Sequence, residues 1–308
     1  MTHNVALLIK IIQTEDNLDL QKRSAVAVAA FVEFCVSRDL AQPPDKIVKN
    51  LCTFLCQDTD QTPTFAYARK TLAGILSFPK SAAHHSAKEE KPPSNPEDAA
   101  KAHLSRRGAQ LAFVELSKRF GPRLLDAVPK MWQSMAGGLV SACSTGQCGC
   151  PSLQHWSLTF ASDELEKMDK QIEKQFGQDV IDSFSVLEAI VPTFHDSLWT
   201  RFKEIFSMII LALRSRFAII RQAAAKCFAT MCDTMTMDAM RTVIEDVIPF
   251  LGDDLNSSNR QGATELIYRM CDRVRPLKDD AYIFDRHRTE AGHEGIALCD
   301  FHGSPRLG

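Results

Sequence analysis

The sequence lacks any apolar run long enough to cross a bilayer. Its longest, Ala25 to Phe31 and Ile205 to Leu213, fall well short of the ~20 residues that a spanning helix requires. It also lacks net charge: 36 Lys and Arg against 38 Asp and Glu leave a balance of -2, so no global field draws it to nucleic acid or anionic lipid. No secretory leader is predicted, because the apolar Val5 to Ile12 is interrupted by Lys10 and has no clear cleavage site. The strings of several enzyme classes are absent: no Gly-x-Ser-x-Gly elbow, no dinucleotide-binding Gly-x-Gly-x-x-Gly, and no Gly-x-x-x-x-Gly-Lys-[Ser/Thr] phosphate loop. These gaps point away from membrane proteins, small-molecule substrates and common catalytic folds. The expectation is a soluble, non-catalytic protein of the cytoplasm or nucleus. Ten cysteines are present, but Cys35, Cys227 and Cys232 sit in apolar runs, as small buried hydrophobes of a reducing compartment do.

What the sequence holds in quantity is helical periodicity. Leu18 to Val36 is rich in alanine and places Val28, Phe31, Val32 and Cys35 at helical spacing. Pro43 and Pro44 suit a helix start, followed by the stripe Ile47, Leu51, Phe54 and Leu55. Thr64 to Phe78 is predicted as a further helix stopped by Pro79, so residues 1–78 read as helical hairpins. Residues 79–100 hold four prolines and no apolar stripe, and are predicted to be a disordered linker. Order is expected again over 101–273. A helix there ends at Gly121. A second, from Pro122 to Gly137-Gly138, should be kinked or split at Pro129. A Cys/Gly loop follows near 141–157. A charged helix capped by Ser162 carries Leu165, Met168, Ile172 and Phe176, and another helix spans Val180 to Val191. The remainder, 274–308, is polar and aperiodic, and is predicted to be a disordered tail.

The stretch 197–271 contains two near-copies of one unit, ending in IIRQAAAKCFATMC and NRQGATELIYRMC. A period near ~40 residues with two helices per unit marks a helical solenoid, with helices expected near 197–213, 217–232, 236–251 and 256–271. Arg23, Arg69, Arg107, Arg221 and Arg260 occupy similar early places in their helices. The small residues that follow let helix axes approach, and the arginine can bridge to a turn acid or to a carbonyl in the adjoining unit; Asp253 and Asp254 are candidates for Arg260, whereas no acid precedes Arg221 in its turn. Arg201, Lys203, Arg214, Arg216 and Arg221 gather around one hairpin and form a candidate basic ridge for DNA phosphate or an acidic partner, although neighbouring acids dilute it. The fold class is therefore all-α: an α-solenoid of HEAT-like helical hairpins, with a disordered insert and tail. Leu266, Ile267 and Met270 are expected to be left partly uncovered at its end.

Several strings carry a closer likeness. RFGPRLLDAVPKMW at 119–132, AIVPTFHDSLW at 189–199, FAIIRQAAAKCFATMCDTM at 217–235 and FLGDDLNSSNRQGATELIY at 250–268 resemble the later HEAT-repeat region of one family. That family is the TATA-binding-protein-associated factor of the Swi/Snf ATPase group, the large subunit of B-TFIID. The resemblance covers most of residues 1–268. It implies a nuclear scaffold whose solenoid holds TATA-binding protein, with DNA contact indirect, while the family's C-terminal Snf-type ATPase strips the complex from DNA. The motor strings of that ATPase are absent here, and the sequence after about Arg273 does not look like another repeat. The chain thus reads as an interior segment or a truncated decoy form competing for the same partner.

One alternative is a small zinc-binding protein. Cys143, Cys148 and Cys150 with His155 offer thiolates and an imidazole, but their spacing matches no common knuckle or ribbon. In the tail, His287, His293, Cys299 and His302 fall at suggestive intervals, yet Ala297 stands where a metalloprotease-like string beginning at His293 needs its second histidine. The paired His84 and His85 lack companion ligands. No metal and no cofactor are expected.

Overall fold

The computed structural model describes residues 2–65, 96–144 and 170–289, and among these residues there is no strand. In chain order the helices are α1 (Thr2–Thr14), α2 (Leu18–Ser37), α3 (Gln42–Cys56), α4 (Pro96–Phe120), α5 (Leu124–Ala127), α6 (Lys130–Ser144), α7 (Lys170–Ile190), α8 (Trp199–Lys203), α9 (Phe206–Leu213), α10 (Ala218–Thr234), α11 (Thr236–Thr242) and α12 (Ser257–Thr289). Between α11 and α12 lie a π-helical turn, Val243–Val247, and a 3-10 turn, Ile248–Gly252. One compact unit comprises Met1–Arg269 and a second Met270–Gly308. The second contributes, among the described residues, the remaining turns of α12.

The first unit is an all-α solenoid of helical hairpins. α1 packs on α2, α3 on α4, α6 on α7, and α9 on α10; successive second helices lie side by side, α2 with α4 and α7 with α10. Local sequence explains where each helix starts and stops. Asn17 caps α2, its side-chain oxygen accepting from the amides of Asp19 and Leu20 at 3.0 and 3.1 Å. Asp39, at φ 55, ends that helix in the left-handed conformation that aspartate tolerates. Pro43 and Pro44 open α3, where the missing amide protons have no helical partner to lose. Glu97 and Asp98 in the first turn of α4, with Lys118 and Arg119 in its last, complement the helix dipole. The core between the two helix rows is built on Phe113, Phe184, Phe202, Phe228, Leu51, Leu116 and Met131, all fully buried.

The structure redraws several sequence boundaries. α4 begins at Pro96, inside the segment predicted to be a linker; residues 79–95 lie outside the described residues, as does nearly all of the helix predicted over 64–78. Pro129 does split its segment, separating α5 from α6. Gly137-Gly138, however, does not end a helix: α6 runs on to Ser144, into the predicted Cys/Gly loop. A Cβ on Gly138 would collide with the Asp179 carbonyl and the Ser183 hydroxyl, so this glycine serves close helix approach rather than termination. Only one helix, α7, covers 170–190, where two had been expected to meet after Phe176. Gly177 at that point lies under the Phe65 ring and stays helical. Finally, the backbone of α12 continues to Thr289, past the expected end of order at Arg273. Within the first unit Leu266 is fully buried rather than uncovered.

Candidate functional site

The first helices of the later hairpins are broken into short α, π and 3-10 pieces, whereas α10 and the start of α12 are regular. The polar groups exposed at the hairpin turns are gathered by buried side chains on the second helices. Arg221 is buried. Its Nη1 donates to the Ser215 carbonyl of its own turn at 2.7 Å, and its Nη2 donates to Gln261 Oε1, on the next second helix, at 2.7 Å. Burial lowers the Arg221 pKa, and the nearby Glu265 carboxylate acts in the opposite direction. Arg260, one repeat later, donates to the Asp253 carbonyl of its own turn. The expected bridge to a turn acid is thus made to a main-chain oxygen. The Asp253 carboxylate is occupied otherwise: it accepts from the Asn259 and Asn256 side chains and from the Leu255 and Asn256 amides. Those bonds, that from Asn259 foremost, hold its pKa down at about 2.

The same device recurs earlier, one residue away from the position that the repeat strings indicate. Arg106, not Arg107, is the buried arginine of α4. Its Nη1 donates to the Leu55 carbonyl at 2.6 Å, at the end of its own first helix, and to Ser185 Oγ on the next second helix at 3.1 Å. Arg107 faces backward, donating to Gln21 Oε1 at 2.8 Å and to the carbonyls of Glu15 and Asp16. In the first hairpin Gln21 takes the arginine's part, donating to the Ile12 carbonyl at 2.8 Å and to Leu104 O, in α4, at 3.0 Å. Arg23, singled out from sequence, is exposed. Arg69 lies outside the described residues. Helical spacing carries the signal that distinguishes these positions: Arg106, Arg221 and Arg260 each stand three residues before a buried alanine, Ala109, Ala224 and Ala263, on the same face. Arg23 and Arg107 each stand only two before theirs.

Glycine sets the spacing between units. A Cβ on Gly108 would strike the Ile12 carbonyl and Gln21 Nε2, and one on Gly262 would strike the Leu213 carbonyl. Both carbonyls lie near the end of the preceding unit's first helix, so the two glycines are corresponding points of approach.

The candidate basic ridge does not form a continuous row. Arg201 pairs with Asp126 at 3.4 Å beside the Trp132 ring, and Lys203 pairs with Asp238 at 2.6 Å. Arg214 donates to Asn259 Oδ1 at 3.3 Å and lies over Phe250, while Arg216 lies over Phe217. Arg221 is withdrawn into the clamp described above. The remaining chemistry proposed from sequence falls elsewhere. Cys148, Cys150, His155, His293, Cys299, His302, His84 and His85 lie outside the described residues, and the side chains of Cys143 and His287 are likewise outside them. Among the described residues no group of three or more His, Cys, Asp or Glu side chains could hold a metal ion. No described helix is long and apolar enough to cross a membrane. Burial pushes the Cys52 thiol up to about 12, and the Cys56 and Cys227 thiols also rise, which leaves them inert as nucleophiles.

Comparison with known proteins gives this scaffold a lineage. Residues 3–134 match the family described as a domain of unknown function, DUF3535. The chain is 32% identical over 275 residues, 87% of its length, to the TATA-binding protein-associated factor mot1 of Aspergillus fumigatus. It is 31% identical over 265 residues, 84% of its length, to TATA-binding protein-associated factor BTAF1 of Arabidopsis thaliana. To TATA-binding protein-associated factor 172 of Homo sapiens it is 23% identical over 306 residues. The chain spans only 13%, 12% and 16% of the lengths of these three relatives. On similarity running through more than four-fifths of its sequence, the chain belongs to the family of the TATA-binding protein-associated factors.

Proposed function

We propose that this chain is a non-catalytic scaffold segment of a nuclear transcription regulator, and that it contributes to holding TATA-binding protein. The observation that carries the reading is the match over 87% of the chain to a TATA-binding protein-associated factor. The architecture supports it, because stacked helical hairpins present extended surfaces suited to protein partners rather than enclosed reaction sites. HEAT-like repeats are the natural description of these units. The lack of a phosphate-loop string in the sequence supports reading these residues as scaffold rather than motor. Pairing of Arg201 and Lys203 with carboxylates favours indirect over direct contact with DNA. The test is co-purification with TATA-binding protein, with and without a TATA duplex. Retention at micromolar concentration in both conditions is expected. Absence of binding in both would leave only a spacer role, and binding that requires the duplex would make DNA the principal partner.

A further inference from the structure

The segment between α11 and α12 carries apolar side chains on its outer face. Ile244 is 58% exposed, Ile248 45%, Leu251 42% and Leu255 93%. The spacing of four and three residues places Ile244, Ile248 and Leu251 along one side of the segment, and Leu255 follows in the bend just beyond the 3-10 turn. The backbone keeps them there. The π turn Val243–Val247 buries Val243 and Val247 while turning Ile244 outward, and in the 3-10 turn that follows, residues three apart eclipse, aligning Ile248 with Leu251. Met237, 79% exposed, extends the apolar surface toward the start of α11. The flanks are acidic: Glu245, Asp246 and Asp254 are exposed, and Arg241 is the one base between Thr236 and Asn256. Asp238 is already engaged by Lys203, and Asp253 by its own turn.

We propose that Ile244, Ile248, Leu251 and Leu255 form a docking surface for an amphipathic helix of another protein that carries Lys and Arg beside its apolar stripe. The apolar side chains bury the partner's stripe, as in helix-in-groove recognition. Glu245, Asp246 and Asp254 select its flanking cations and set its direction. The surface is distinct from the inter-repeat clamps, and the proposal does not depend on binding of TATA-binding protein.

The test uses the full chain and two synthetic helical peptides with the same leucine stripe, one flanked by lysine and arginine and one by glutamate. Fluorescence anisotropy should show the basic peptide binding and the acidic one binding at least about tenfold more weakly, a difference of ~1.4 kcal/mol. Leu255→Asp and Ile248→Asp should each weaken the basic peptide by about tenfold or more while circular dichroism stays unchanged, since both side chains are exposed in the native protein. The double charge reversal Glu245→Lys, Asp246→Lys should invert the preference between the peptides, and raising salt should reduce it. Equal binding of both peptides, binding of neither, or insensitivity to these substitutions would overturn the proposal. So would a concentration-dependent dimer that Ile248→Asp dissolves, because a second copy would then be the occupant.

Discussion

Arg106 in α4 and Arg221 in α10 stand at corresponding points of their hairpins, yet they meet different company. Among the described residues Arg106 donates to neutral groups, the Leu55 carbonyl and the hydroxyls of Thr62 and Ser185. Arg221 donates to a carbonyl and a carboxamide, and it also lies within electrostatic reach of the buried Glu265. What the solenoid repeats is therefore the donor and its position, while the acceptor on the following unit is free to vary. A guanidinium suits such a role because its five donors can serve a turn carbonyl and a neighbouring helix at once.

The difference in company should appear in stability. Arg221→Met leaves the Ser215 carbonyl and Gln261 Oε1 unmet and withdraws a positive charge from beside the buried Glu265, and is expected to cost about 3–5 kcal/mol. Arg106→Met leaves only neutral acceptors unmet, and is expected to cost about 1–3 kcal/mol. Urea unfolding monitored by circular dichroism measures both. Adding Glu265→Gln to Arg221→Met should recover part of the loss, and an equal loss in the two single variants would remove the distinction drawn between the junctions.

The glycines sharpen the comparison from the other side. In an exposed helix interior, Gly→Ala normally gains up to about 1 kcal/mol. At Gly108 and Gly262 the added methyl meets a backbone carbonyl that cannot swing away, so the sign reverses, with a cost of about 1–3 kcal/mol. Gly252→Ala is the control, because a Cβ there meets nothing within 4 Å. If all three substitutions behave alike in thermal melts, close approach is not what selects glycine at these junctions.

A smaller effect is expected at the turn that feeds the last hairpin. The Asp253 pKa is lowered in the folded protein, so its contribution is complete above the ordinary aspartate pKa and is lost as pH falls through about 2. Acid unfolding between pH 4 and pH 2 should therefore be less steep in Asp253→Asn, and carboxyl NMR should find the Asp253 midpoint well below that of ordinary aspartates. The weakest effect belongs to the exposed pairs. Arg201→Ala and Lys203→Ala should each change stability by no more than ~1 kcal/mol, since solvent screens both pairs.

Much of the architecture was legible because alternation of apolar and polar residues at helical spacing is a local property. The hairpins of 197–271, the helix start at Pro43 and Pro44 and the break at Pro129 all follow from neighbours within a turn or two. The failures share a different cause. Gly137-Gly138 reads as a helix stop until α7 is seen pressing on Gly138, and Gly177 reads as a joint until Phe65 is seen covering it. Matching the small residues that follow points to Arg107, whereas the buried face of α4 belongs to Arg106. Gln21 gives no signal of its own, because a glutamine in the arginine's place leaves no string to match. Residues whose role is set by a partner far along the chain are silent in a single sequence.

The forward reach of the clamps gives the array a sense of direction along its own synthesis. Gln21 is completed by α4, Arg106 by α7 and Arg221 by α12. During translation, which delivers and folds the amino-terminal portion of a chain first, each hairpin would emerge with one donor still seeking an acceptor that only the next hairpin supplies. The growing end would thus be primed to accept its own continuation in register before the ribosome has finished the chain.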